Sequence, residues 1–392
     1  MESFYRTHTY LVEHVDAPVH RQLMDEIDWS HRLIGIKGTR GVGKTTFLLQ
    51  YAKEHYGTSR ACLYINMNNF YFSDNTLFDF AKAFNLRGGR VLLIDQVFKY
   101  PSWSEILHDI YVNIPTLQVV FTGSSVMRLK QENIDLRDIV KSYDLRGFSF
   151  REFLNLQAGT SFKSFTFKDI INHHEEIAQK ICKVVDPLSY FQDYLHHGFY
   201  PFYLEERNFS ENLLKTMNMM IEVDILFIKQ IELKYLSKIK QLFYLLATGP
   251  KTSTNISQLA SRIQTSRATV MNYLKYLMDA RLINMVYRTG EEFPKKPSKI
   301  LLHNSNMNYC IYPRRADEEE IIETFFYNQM MKDYKLSIGD KRCSFIVDDK
   351  VCMKLHSPQK RRRISPDIIY VVQGERIGKG KDIPLWLFGF LY

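Results

Sequence analysis

The stretch Gly38-Thr39-Arg40-Gly41-Val42-Gly43-Lys44-Thr45 fits the pattern Gly-x-x-x-x-Gly-Lys-[Ser/Thr] in full, with Thr46 behind it. An apolar run (Leu33, Ile34, Gly35, Ile36) precedes it, and a helix-like run (Phe47, Leu48, Leu49, Tyr51, Ala52) follows. Strand, glycine-rich turn and helix in that order make a phosphate cradle. Glycines let backbone N–H groups wrap phosphate oxygens where a Cβ would clash. The helix behind them turns its positive end towards the same anion. Lys44 is expected to reach the β- and γ-phosphates of a nucleotide, and the Thr45 hydroxyl to ligate Mg2+.

Val91-Leu92-Leu93-Ile94-Asp95 reads as a buried parallel strand ending in a carboxylate. Asp95 then sits where the Mg2+ shell is held, at the carboxyl end of the sheet. A third strand, Leu117 to Phe121, leads into Thr122-Gly123-Ser124-Ser125. Up to about residue 155 strands and helices alternate, which is an α/β arrangement with a parallel sheet.

Composition bounds the rest. The 392 residues leave room for about two to four domains, and 45% apolar with 14% aromatic content supplies real cores. Cys62, Cys182, Cys310, Cys343 and Cys352 are scattered with no Cys-x-x-Cys pair. That spacing argues for a reducing cytoplasm and against a disulfide framework or a zinc site. No signal core opens the chain and no stretch reaches membrane-span length. The final Ile383 to Tyr392 reads as a buried terminal strand or a docking tail. The net charge of +9 favours an acidic partner such as nucleic acid. Its positive residues gather at Lys295, Lys296, Lys299, Arg314 and Arg315, and in the run Lys360-Arg361-Arg362-Arg363.

Residues from about 165 to 235 read as helical, broken by the turn Gly198-Phe199-Tyr200-Pro201. His173 and His174 point to different helix faces, which disfavours a metal site. Ile239 to Ala247, Asn255 to Ile263, and Arg267 to Met278 capped by Ser266 form three helices. The strand Leu282 to Tyr287 and a turn at Gly290 follow. This order is that of a winged helix-turn-helix. Arg267, Asn272 and Lys275 fall near one exposed face, from which they could reach bases or phosphates. The last hundred residues combine a helix (Glu318 to Lys332) with strands.

Taken together, these features resemble prokaryotic AAA+ ATPases related to the STAND class, which join a P-loop domain to a winged helix and a C-terminal nuclease-like fold. The resemblance spans nearly the whole chain. It is carried by the phosphate loop, Leu92 to Asp95, Lys99-Tyr100-Pro101-Ser102-Trp103, Phe121 to Ser125, Gly147 to Leu154, and Tyr194 to Pro201. It implies a P-loop AAA+ core at 1–155, a helical lid at 156–235, a winged helix-turn-helix at 236–292 and a restriction-nuclease-like α/β domain at 293–392. It also implies ATP and Mg2+ as cofactors, Thr122 and Ser124 as sensors of the γ-phosphate, and Pro201 against the adenine. A Ser/Gly turn would use the same residues at 122–125.

Three departures matter. AAA+ ATPases usually carry Glu after the strand-end Asp, whereas this chain has Gln96. An amide can orient a water but cannot take its proton. Either the protein is natively slow or Gln96 is a Glu→Gln change that traps the ATP state, and the completeness of the surrounding motif favours the second. The family's Asp-Leu-Ser-Arg-Arg run reads Asp135-Leu136-Arg137-Asp138-Ile139, which leaves Arg137 as the candidate arginine finger. In the nuclease-like part, Ser344 stands where Asp is expected and Val351-Cys352-Met353-Lys354 lacks the usual carboxylate, so DNA cleavage is not expected. The leading reading is a cytoplasmic, homo-oligomeric ATPase that couples ATP/ADP state to duplex or branched DNA, with Arg361, Arg362 and Arg363 gripping phosphates. The alternative is a nucleotide-dependent signalling switch that acts on a protein partner.

Overall fold

The computed structural model describes residues 1–127, 129, 133–205, 208–249, 255–312, 317–339, 342–356, 365 and 367–392. It divides into two compact units, Met1–Gly147 and Phe148–Tyr392.

The first unit opens with helix α1 (Glu2–His14) and the short α2 (Leu23–Glu26). It continues as β1 (Leu33–Gly38), α3 (Lys44–His55), β2 (Cys62–Asn66), α4 (Leu77–Leu86), β3 (Val91–Asp95), α5 (Trp103–Asn113), β4 (Gln118–Ser124) and β5 (Lys141–Asp144). The sheet order is β2-β3-β4-β1-β5 and every pairing is parallel. The apolar runs dictate this: all five residues of β3 are buried, as a strand covered on both faces requires. Thr122 and Ser124 belong to β4 itself rather than to a turn after it, so their hydroxyls stand at the carboxyl end of a central strand.

Edge strand β2 is sealed by α1. The Tyr64 N–H donates to His8 Nδ1 at 3.0 Å, and His8 is 1% exposed. An edge N–H without such an acceptor would invite pairing with another chain.

The second unit begins with α6 (Phe150–Ala158), closed by a capping box between Ser149 and Glu152. There follow α7 (Phe167–Cys182) and α8 (Leu188–Asp193), which runs into a π-helical turn, Tyr194–Gly198. In α7, His174 is buried while His173 stands at a break with φ −131°. Next come α9 (Phe209–Met219), α10 (Leu226–Lys229), α11 (Leu236–Thr248), α12 (Ile256–Arg262) and α13 (Arg267–Asp279). Asn255 and Ser266 cap the last two. The antiparallel hairpin β6 (Ile283–Val286) and β7 (Lys299–Leu302) pairs Ile283 with Leu302. After α14 (Ser305–Ile311) and α15 (Glu318–Met330), the chain forms β8 (Leu336–Ile338), β9 (Phe345–Val347), β10 (Val351–His356), β11 (Ile368–Val372) and β12 (Asp382–Pro384). These strands lie in the order β12-β11-β10-β9-β8, antiparallel from β8 to β10 and parallel from β10 to β12.

Several expectations change. The break falls at Gly147, not near 155, because Phe150 and Phe153 pack with Phe191, Tyr194 and Phe390 in the second unit's core. Val286 and Leu301 of the hairpin share that core with Phe325 and Phe388, so one hydrophobic cluster crosses the boundaries drawn at 235 and 292. The C-terminal stretch is neither a whole strand nor a tail. Only Ile383 and Pro384 extend β12, and Leu385–Phe390 coil into a buried 3-10 helix. Phe388 meets Phe326 at 5.0 Å between ring centroids. Cys343 and Cys352 form a disulfide, because the β9–β10 hairpin sets their Cα atoms 5.5 Å apart. A spacing of nine residues carries no signal of that. Among the described residues, no helix is long and apolar enough to cross a membrane.

Asparagines of α14 hold the turn after the π-helix. Asn306 Nδ2 donates to the Tyr194 and Leu195 carbonyls at 3.0 and 2.9 Å, and its Oδ1 accepts from Phe199 N–H at 3.0 Å. Asn304, which caps that helix, donates from Nδ2 to the Tyr200 hydroxyl at 3.1 Å.

A pH prediction follows from His8. Burial lowers its pKa from 6.5 to about 4, so the folded state keeps it neutral where the unfolded chain would bind a proton. Its contribution is complete above pH 6.5 and is lost as pH falls from 6.5 towards 4. In His8→Gln, the loss of stability of the first unit between about pH 7 and about pH 4 should be smaller by up to about 3 kcal/mol, as read by denaturant unfolding at each pH.

Candidate nucleotide site

Gly38 ends β1, and a Cβ there would meet the Leu145 carbonyl oxygen at 2.4 Å. Gly41 and Gly43 have φ of 84° and 89°, a region costly for residues with a Cβ, and α3 starts directly after Gly43. Such left-handed turns ahead of a helix build an anion-binding concavity. Thr39 and Val42 are buried, Arg40 and Thr46 half-buried. Lys44 Nζ donates to the carbonyls of Gly38 and Thr39, both at 2.8 Å, and so lies along the loop it serves.

The predicted metal pair is brought together: Thr45 Oγ1 donates to Asp95 Oδ2 at 2.8 Å. A hydroxyl and a carboxylate are the hard oxygen donors that Mg2+ takes, so the residues fit that ion. Asp95 is 1% exposed, and four donors converge on it. Besides Thr45, its Oδ2 accepts from the Tyr64 hydroxyl at 2.9 Å and from Asn66 Nδ2 at 3.1 Å. Its Oδ1 accepts from Thr122 Oγ1 at 2.5 Å. Burial, with the Asp95 charge beside it, raises the pKa of the Tyr64 phenol, which therefore remains a donor.

Gln96 takes the left-handed conformation (φ 57°, ψ 48°), and its N–H donates to Thr122 Oγ1 at 2.9 Å. Thr122 thus ties the strand-end carboxylate to the backbone of the next residue. Ser124 is engaged elsewhere, its Oγ accepting from Val126 N–H at 3.4 Å. Arg137 is exposed, just after the 3-10 turn Ile134–Leu136. Pro201 opens a 3-10 helix, Pro201–Glu205, in the second unit.

Tyr64, Asn66 and Arg21 were not legible as site residues. The first two occupy alternate positions of an ordinary strand, and only the parallel register Asn66↔Asp95 brings them to the carboxylate. Arg21 is buried, with Nη1 on the Val42 carbonyl at 3.1 Å and Nη2 on those of Arg146 and Gly147 at 2.6 and 3.2 Å. It fastens the phosphate loop to the end of the first unit.

Of the candidate DNA contacts, Arg267 is exposed and Asn272 is exposed on α13. Lys275 is not free: it pairs with Asp279 at 3.0 Å and lies over the Phe293 ring at 5.8 Å. Arg361, Arg362 and Arg363 lie outside the described residues. Ser344 Oγ accepts from Leu355 N–H at 3.1 Å, and Glu323 is ion-paired with Lys299.

Residues 30–154 match the family model described as AAA domain, and the chain therefore carries an AAA domain. Residues 188–303 match a domain of unknown function, DUF8612. The protein MJ1637 of Methanocaldococcus jannaschii, itself uncharacterized, is 28% identical over 273 residues, which is 66% of this chain and 57% of that protein. The chain thus spans little more than half the length of that curated relative. Among solved structures, the Aeropyrum pernix ORC1 protein in complex with DNA is 12% identical, with a TM-score of 0.32 over 80% of this chain and 92% of that one. A single-residue variant of Thermotoga maritima RuvB is 16% identical, with a TM-score of 0.27 over 74% and 90%. AMPPCP-bound DnaA from Aquifex aeolicus is 14% identical, with a TM-score of 0.27 over 70% and 87%. These overlaps are too loose to assign a role.

Thr122→Val keeps the side chain's shape while stranding a buried carboxylate oxygen and the Gln96 N–H. The variant should be less stable by about 1–3 kcal/mol, as read by denaturant unfolding of the first unit.

Proposed function

We propose that this chain is an AAA+ ATPase that binds Mg-ATP and couples its nucleotide state to DNA binding or remodelling. The observation that carries the nucleotide half is the 2.8 Å contact between Thr45 and Asp95, beneath a loop whose glycines take positive φ. ATP bound with Mg2+ would present its phosphates to the loop N–H groups and to Lys44, with Thr45 and Asp95 holding the ion. The ion would neutralise charge that builds on the phosphates during transfer. Thr122 fixes the Asp95 carboxylate and the backbone of Gln96, so the Gln96 amide can orient a water without accepting its proton. Slow turnover is the result. Arg137 would complete the site of a second copy.

The DNA half is supported by charge. The stretch 236–302 holds eleven Lys and Arg against three Asp and Glu, nearly the whole net charge of +9. Its three helices and hairpin follow the order of a winged helix-turn-helix, with Arg267 and Asn272 exposed on the third helix. Backbone-directed binding of this kind is strongly salt-dependent. The sheet that follows would serve as a nuclease-like platform without cleavage.

The test is ATP turnover by this chain and by Gln96→Glu, each with and without branched DNA. Gln96→Glu should turn over about 100-fold faster or more, DNA should accelerate it, and Lys44→Ala should abolish nucleotide binding. Equal rates for the chain and Gln96→Glu would remove the proposed role of Gln96. No DNA affinity even at low salt would redirect the reading to a nucleotide switch that acts on a protein partner.

A further inference from the structure

We infer that Tyr64 is a positioning residue that holds Asp95 ready for Mg2+, and that His8 on α1 holds Tyr64 in turn. The inference rests on the Mg-ATP reading above. It concerns a segment, Glu2–His14, that lies before the stretch matching the AAA domain.

The geometry is a chain of three contacts. Asp95 Oδ2 accepts the Tyr64 hydroxyl at 2.9 Å from the β2 side, while Oδ1 accepts Thr122 from the β4 side. Held on both oxygens, the carboxylate cannot swing away from Thr45. The Tyr64 oxygen itself accepts from Asn66 Nδ2 at 3.3 Å, which leaves its proton to point at the carboxylate. Tyr64 sits on an edge strand, so only one side of its backbone is fixed by the sheet. His8 fixes the other side, through the 3.0 Å contact from the Tyr64 N–H to Nδ1. A group that orients a metal-binding carboxylate spares the ion the cost of ordering it, and losing such a group costs about tenfold to a hundredfold in metal affinity.

The experiment is calorimetric titration of ADP into the full chain, once in excess MgCl2 and once in excess EDTA. Tyr64→Phe keeps the ring and removes the one donor. It should bind ADP about tenfold or more weakly with Mg2+, while its affinity in EDTA matches that of the unmodified chain. His8→Leu should shift the same way, and His8→Asn, whose Oδ1 stands where Nδ1 accepts, should restore the Mg2+ gain. Three results would overturn the inference. Tyr64→Phe could keep the full Mg2+ gain. It could weaken equally with and without Mg2+, which would make the hydroxyl a support of the fold alone. Or His8→Leu and His8→Asn could behave alike, which would remove His8 from the chain of contacts. If the unmodified chain binds ADP no more tightly with Mg2+ than with EDTA, the Mg-ATP reading itself fails and the inference goes with it.

Discussion

A carboxylate that is 1% exposed has to be satisfied by the protein around it, and Asp95 places that demand on the first unit. Its four donors come from α3, from two positions of β2 and from β4. They converge only if the strands keep the order β2-β3-β4 and the register Asn66↔Asp95. A slip of one residue in β2 would turn Tyr64 to the opposite face and leave the charge without that donor. The sheet's topology and the chemistry of the site are therefore one constraint. The left-handed Gln96 belongs to it as well, since its N–H shares the Thr122 hydroxyl that serves Asp95.

The second unit answers a similar demand by different means. Its centre is aromatic, with Phe150, Phe325, Phe326, Trp386 and Phe388 almost wholly buried. Polar side chains at the edge of that centre pair with backbone that regular structure leaves over. A π-helical turn frees carbonyls that an α-helix would use, and Asn306 takes two of them while accepting the Phe199 N–H. Asn284 and Asn328 likewise donate to the His303 carbonyl at 3.3 and 2.9 Å. A buried network satisfied in this way specifies one arrangement of its turns.

What could be read from the chain was what depends on neighbours in sequence. The phosphate loop, the apolar runs of β1 and β3, and the cap Ser266 all act over a few residues. Tyr64, Asn66, His8 and Arg21 acquire their roles through partners tens of residues away, and no local pattern marks them. The Cys343–Cys352 bond depends on a hairpin register, and Lys275 was lost as a free cation to an i,i+4 carboxylate that its own helix supplies. The apolar C-terminus was legible as buried. Its shape was not, because Pro384 ends the strand and the core accepts the remainder only as a coil of aromatic side chains.

That last element bears on the order in which the chain can mature during synthesis. The first unit contains all of its own strands by residue 147 and can close while the remainder is still being made. The second cannot. Arg151 Nε donates to the Tyr392 carbonyl, 241 positions away, and Phe165 N–H has its acceptor at Phe390. Helices α6 and α7 are therefore translated early but have no completed core to dock on until Trp386, Phe388 and Phe390 emerge. Through that interval they leave aromatic side chains without their core partners, and surface of that kind favours aggregation.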